Sequence, residues 1–146
     1  MSKILISGYY GFNNAGDEAL LTAILASLYA IEPEADITVI SGNPSETTTK
    51  HRVKSLFRFD AGKILSALGR ADLLISGGGS LLQDVTSKRS LAYYLSIIAL
   101  AKLRGKKVML FAQGIGPIRS GFMRFLTRVI CRQADVITVR DREVAA

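Results

Sequence analysis

The sequence has little of what metal, redox or membrane chemistry requires. Its single cysteine, Cys131, cannot close an internal disulfide and has no cysteine or histidine at ligand spacing. It is expected as a small core or boundary residue of a helix, and no metal site or cofactor is expected. The single histidine, His51, lies in a polar, turn-rich stretch, 42–51, with no evident carboxylate or serine partner, and reads as an exposed loop residue. The longest apolar run, 91–101, is interrupted by Tyr93, Tyr94 and Ser96. It falls well short of the ~20 residues that span a bilayer and should be a buried helix. Low-complexity tracts and internal repeats are missing, and prolines number three. The opening residues pass straight into a strand without the layout of a signal peptide, so a cytoplasmic location is expected.

A chain of 146 residues has room for one core and one domain. The net charge of +7 tolerates anionic company. Arg124, Arg128 and Arg132 recur every four residues and form one basic helical stripe. A solvated face explains it; attraction to an anionic membrane surface, as peripheral contact, or to an anionic polymer is the alternative. No nucleic-acid signature accompanies the charge.

Lys3 to Ser7 and the β-branched run Asp36 to Ser41 predict strands around a helix from Asp17 to Ala30, one βαβ unit. A short helix from Asp60 to Leu68, capped by Asp60 and ended by Gly69, leads to a strand at Asp72 to Ser76. A long helix from Ser90 to Arg104, stopped by Gly105, precedes a strand at Lys106 to Ala112. The chain then predicts a helix near Ser120 to Gln133, with Phe122, Phe125, Leu126, Val129 and Ile130 as its apolar face, and a fifth strand at Asp135 to Val139. Such alternation implies an α/β, Rossmann-like doubly wound parallel sheet covered on both faces. Ligands bind such sheets at the carboxyl ends of the strands, where strand order reverses.

Four unusual segments follow strands and should share that rim. The loop after the first strand carries Gly8, Gly11 and Gly16, spaced unlike a dinucleotide fingerprint and without the Gly-Lys-Ser/Thr of a phosphate-binding loop. It also holds Tyr10 and Phe12, suited to stacking on a sugar, and Asn13 and Asn14, which either cap the helix or touch a ligand. Asp17 either complements the helix dipole or acts as a general base on a sugar hydroxyl; Glu18 complements the dipole. After the third strand come Gly77, Gly78 and Gly79 with Ser80, Gln83 and Asp84, a segment for close ligand approach. Gln113 to Pro117 follows the fourth strand, and Arg140 ends the fifth, where a guanidinium can grip phosphate or carboxylate or pair with a rim carboxylate.

Taken in order, residues 10–19, 76–84, 112–118 and 139–141 resemble the polysaccharide pyruvyltransferase family. The resemblance is nearest to the bacterial branch that modifies secondary cell-wall polymers for S-layer anchoring. It implies the N-terminal domain of a two-domain, GT-B-like enzyme whose second domain lies outside this chain. It further implies transfer of the enolpyruvyl group of phosphoenolpyruvate to two hydroxyls of N-acetylmannosamine in a lipid-linked glycan, without metal or nucleotide. Asp17 and Arg140 would then be catalytic, and Tyr10, Phe12, Asn13, Asn14, Gly78, Gly79, Gln83, Asp84 and Gln113 would bind substrate. Two positions depart from the family pattern, Ala112 for a glycine and Val144 for a serine. The competing expectations are a GT-B glycosyltransferase using a sugar nucleotide and a non-catalytic glycan- or anion-binding domain.

Overall fold

A computed structural model describes residues 2–8, 10–12, 15–76, 79–82, 88–115, 121, 125, 128–130, 132 and 135–139. The described elements run β1 (Lys3–Ser7), α1 (Ala15–Ile31), β2 (Asp36–Ser41), α2 (Pro44–His51), β3 (Lys54–Phe57), α3 (Ala61–Arg70), β4 (Leu73–Ser76), β5 (Gly79–Leu82), α4 (Lys88–Leu103), β6 (Lys107–Ile115) and β7 (Val136–Val139). All strand pairings are parallel, with β3-β2-β1-β4-β6 as the continuous run. β7 lies on the far edge of β6, and β5 takes over from β4 along the near edge. The fold is α/β and Rossmann-like, and strand order reverses between β1 and β4.

The period-two alternation of the strands sorts their side chains into two cores. Ile4, Ile6, Ile37, Val39 and Ile75 meet Leu21, Ile24 and Leu25 of α1 on one face. Leu5, Ile40, Leu74, Val108 and Leu110 meet Ile64 and Leu68 of α3 and Leu95, Ile98 and Ala101 of α4 on the other. Burial on both faces explains why these strands read as nearly unbroken aliphatic runs.

Several boundaries differ from expectation, each for a local reason. Residues 44–51 form α2 and not a loop: Asn43 accepts from the Glu46 amide at 3.3 Å, its side-chain amide donates to Glu46 Oε2 at 3.1 Å, and Pro44 occupies the first turn. β3 was not predicted, because four residues with only Ser55 and Leu56 half-buried carry almost no pattern. Gly69 does not end α3, which runs to Arg70 and closes when the Ala71 amide bonds to Ala67. β6 continues past Ala112 to Ile115, held by partners on both edges at Gln113.

Gly105 does stop α4, with φ of +72° and the Lys106 amide reaching back to the Ala101 carbonyl at 2.9 Å. Between β6 and β7 the described residues 121, 125 and 128–130 are helical. Of the expected apolar face there, Ile130 packs on the core, whereas Phe125 and Val129 are exposed. Arg128 and Arg132 are exposed as well. Phe122, Leu126, Arg124 and Cys131 lie outside the described residues. Among the described residues, no helix is long and apolar enough to cross a membrane.

Candidate functional site

The carboxyl ends of β1, β2 and β3 are tied together by their following loops. The Gly42 amide donates to the Tyr10 carbonyl at 2.9 Å, and the Arg58 amide to the Ser41 carbonyl at 3.0 Å. Ser41 is buried, shares a hydrogen bond of 2.7 Å with Thr47 Oγ1, and accepts from the Asn43 amide at 2.9 Å. Gly11, at φ of +82°, is pressed so closely on this corner that a Cβ would lie 2.3 Å from Ser41 Oγ and 2.5 Å from the Asn43 nitrogen. Only glycine allows that approach.

Tyr10 was expected to offer its ring to a sugar. It is instead 1% exposed, folded back over Gly8 into the α1-side core. Its phenol oxygen is buried and has no hydrogen-bond partner among the described residues. Burial, and then the negative charges of Asp17 and Glu18 and the neighbouring Tyr94, hold its pKa far above the ordinary phenol value. The phenol therefore stays protonated throughout the physiological range. Phe12 keeps the rim position, half-buried, its ring seated where a side chain on Gly42 would collide with it.

His51 and Glu18 also depart from expectation. α2 brings His51 Nε2 to 3.7 Å from Glu18 Oε2, with side chains only 5% and 6% exposed. That separation is within ion-pair reach and too long for a hydrogen bond, and among the described residues both Glu18 oxygens and His51 Nε2 lack a hydrogen-bond partner. Glu18 is thus no surface complement to the helix dipole: with Leu21, Leu25 and Leu28 it lies on the inward stripe of α1. That spacing is the sequence signal that could have revealed it. Asp17, one residue earlier, is half-buried in the first turn.

A second cluster went unnoticed in the sequence. Arg58, just past β3, lies with its guanidinium carbon 5.0 Å from the Phe12 ring centre, 4.4 Å from that of Phe59 and 5.3 Å from that of Tyr93. The Tyr93 hydroxyl donates to the Arg58 carbonyl at 2.5 Å. Burial raises the Tyr93 pKa, and the Arg58 charge opposes the shift. Phe57 and Tyr94 extend the ring packing at 5.7 Å from Phe59 and 5.1 Å from Tyr93. The signal was the Phe-Arg-Phe run at 57–59.

On the other side of the switch point, backbone register aligns the remaining segments. Ser7 stands opposite Ser76, Gly79 opposite Gln113, and Gln113 opposite Val139, the residue before Arg140. Gly79 thus opens a paired strand and is not a free loop residue. Asn13, Asn14, Gly78, Gln83, Asp84 and Arg140, and the Gln113 side chain, lie outside the described residues. A pocket lined by Lys3, Asp36, Lys54 and Arg70 opens at the opposite edge of the sheet, at the amino ends of β1, β2 and β3.

The family model described as "Polysaccharide pyruvyl transferase" matches residues 14–143. The chain belongs to the polysaccharide pyruvyl transferase family. Membership implies transferase chemistry between a pyruvyl donor and a polysaccharide acceptor. No curated protein matches the chain. Among solved structures, a molybdenum cofactor binding protein from the phototrophic bacterium Rippkaea orientalis superposes with a TM-score of 0.51 at 14% identity, covering 94% of this chain and 90% of that one. An azoreductase from Bacillus anthracis str. Sterne gives a TM-score of 0.50 at 16% identity, covering 95% and 85%. At such identities these likenesses describe the fold that this family member shares, and nothing of its chemistry.

Proposed function

We propose that this chain is the first of two Rossmann-like domains of a ketal-forming pyruvyltransferase, GT-B-like in arrangement. Its donor is phosphoenolpyruvate and its acceptor an N-acetylmannosamine residue of a lipid-linked cell-wall glycan, the chemistry of S-layer anchoring. One observation carries the reading: the strand register Gly79, Gln113, Val139 brings the segments that resemble the family onto one rim beside the loop after β1. Ligands bind such sheets at that rim.

In the reaction, C3 of phosphoenolpyruvate gains a proton and one sugar hydroxyl oxygen bonds to C2. The second hydroxyl oxygen then bonds to C2 as the C2–O bond to phosphate breaks. Of the two hydroxyl protons, one balances the new methyl group and the other leaves with phosphate. Asp17, half-buried at the start of α1, orients or deprotonates the acceptor hydroxyl. Arg140 holds the phosphate or carboxylate of the donor with two hydrogen bonds. Phe12 provides the apolar wall for the sugar, and Asn13, Asn14, Gly78, Gly79, Gln83, Asp84 and Gln113 are the further substrate-binding residues that the family resemblance implies. Tyr10 acts beneath this surface by holding the loop, since its buried ring offers no face to a ligand.

Calorimetry on the full-length protein separates the donor classes. Binding of phosphoenolpyruvate, lost in Arg140→Ala, is expected; binding of a nucleotide diphosphate sugar in its place would assign the protein to the glycosyltransferases. Unchanged turnover in Arg140→Ala would remove that residue from the site.

A further inference from the structure

Arg58 stands apart among the described basic residues. Its Nε is buried, and among the described residues it has neither a hydrogen-bond partner nor a carboxylate within ion-pair distance. Phe12, Phe59 and Tyr93 surround the cation and compensate part of its charge through their ring faces. Rings do not accept the guanidinium's in-plane N–H bonds, of which an arginine carries five. The buried Nε–H is the donor left without an acceptor among the described residues, and an incoming oxyanion would satisfy it.

The residue is also well placed for a ligand. It follows β3 at the carboxyl edge of the sheet, its main-chain amide fixed to Ser41 and its carbonyl to Tyr93. Phe12, the proposed sugar wall, is one of its three ring neighbours. Phe59, another, is 66% exposed, leaving apolar surface beside the cation open to a partner. Donor and cation stand apart: β3 and β7 are five strand spacings from each other, roughly 24 Å at ~4.8 Å per spacing. A three-carbon phosphate held by the residue after β7 does not span that distance.

We propose that Arg58 is an oxyanion-binding residue on the acceptor side of the cleft, gripping a phosphoryl or carboxylate group carried by the glycan. The proposal rests on the acceptor reading given above and names a charge that the acceptor must bear. The charge comes either from the phosphate link to a carrier or from an acidic sugar, and the two are separable by experiment.

The test is calorimetry on the full-length protein without donor, so that no turnover heat enters, with phosphoenolpyruvate titrated separately. Three probes are titrated: an N-acetylmannosamine-ended disaccharide as its methyl glycoside, the same disaccharide as its 1-diphosphate, and one in which the reducing-end sugar is a uronate. One charged probe is expected to bind at least tenfold more tightly than the methyl glycoside. Arg58→Met erases that advantage, Arg58→Lys restores part of it, and phosphoenolpyruvate affinity changes less than twofold in either. The 1-diphosphate winning identifies the carrier link; the uronate winning identifies an acidic sugar. Equal binding of neutral and charged probes, or an advantage that survives in Arg58→Met, overturns the proposal. Inorganic pyrophosphate separates this from the glycan reading. Pyrophosphate binding lost in Arg58→Met while no disaccharide binds would leave the grip intact and remove the glycan. Pyrophosphate binding unchanged in Arg58→Met would remove the grip. Thermal melts of both variants establish that they fold.

Discussion

Replacing Glu18 and His51 singly and together tests whether their buried contact is a true pair. Their side chains are 6% and 5% exposed and 3.7 Å apart, and three of their polar atoms find no hydrogen bond among the described residues. Glu18→Met leaves the buried imidazole nitrogen without the carboxylate, and His51→Leu leaves the buried carboxylate without the imidazole. Stranding a buried polar group costs about 1–3 kcal/mol, rising to about 3–5 kcal/mol when the stranded group is a charge. Replacing both by apolar groups of similar volume strands neither, so the double variant should stay within ~1 kcal/mol of the parent. Urea unfolding followed by circular dichroism gives the three differences, and the coupling should amount to at least ~2 kcal/mol. In thermal melts each single variant should fall by several degrees, at about 3 °C per kcal/mol for a chain of this size. Single effects that simply add in the double variant, with coupling below ~0.5 kcal/mol, would show that the contact carries no interaction.

Two further substitutions probe the loop that forms the site's floor. Gly11→Ala forces a Cβ to 2.3 Å from Ser41 Oγ at a φ of +82° and should cost at least ~2 kcal/mol in urea unfolding; Gly62→Ala, in α3 with only Asp60 Oδ1 at 3.9 Å, should be neutral or stabilising by up to ~1 kcal/mol. Equal effects at the two glycines would refute the close approach at Gly11. Tyr10→Phe removes a buried hydroxyl that has no partner among the described residues and should cost less than ~1 kcal/mol at neutral pH. Because the Tyr10 pKa is raised on folding, the unfolded chain loses this proton first. That contribution to stability is whole below pH ~10 and declines as pH rises beyond it, so the Phe variant should show a shallower alkaline decline. Identical alkaline limbs would contradict the burial of the phenol.

The strands were legible because burial on both faces leaves runs such as Ile4 to Ile6 and Ile37 to Ile40 nearly all aliphatic. α2 was not, because its threonines and lysine carry no apolar stripe; what makes it a helix is the cap at Asn43, a signal of one residue and its partner Glu46. Missing that helix also misplaced His51, whose burial depends on where α2 ends. Tyr10 and Phe12 look equivalent as loop aromatics, yet the backbone between them turns at Gly11, one ring entering the core and the other staying at the rim. Arg58 was only half legible: Phe59 adjoins it in the chain, but Phe12 and Tyr93 come from positions that only the fold brings to it. The motif order, by contrast, sufficed to place the chain in its family.

The proposed reaction is tested most directly by following both products from one mixture: phosphate released from phosphoenolpyruvate, and the ketal methyl group by NMR, with full-length protein and an N-acetylmannosamine-ended disaccharide. Release and ketal appearing in equal amounts, both abolished in Arg140→Ala, is the predicted result. No phosphate released with this acceptor, or a glycosyl group transferred from a sugar nucleotide in its place, would contradict it.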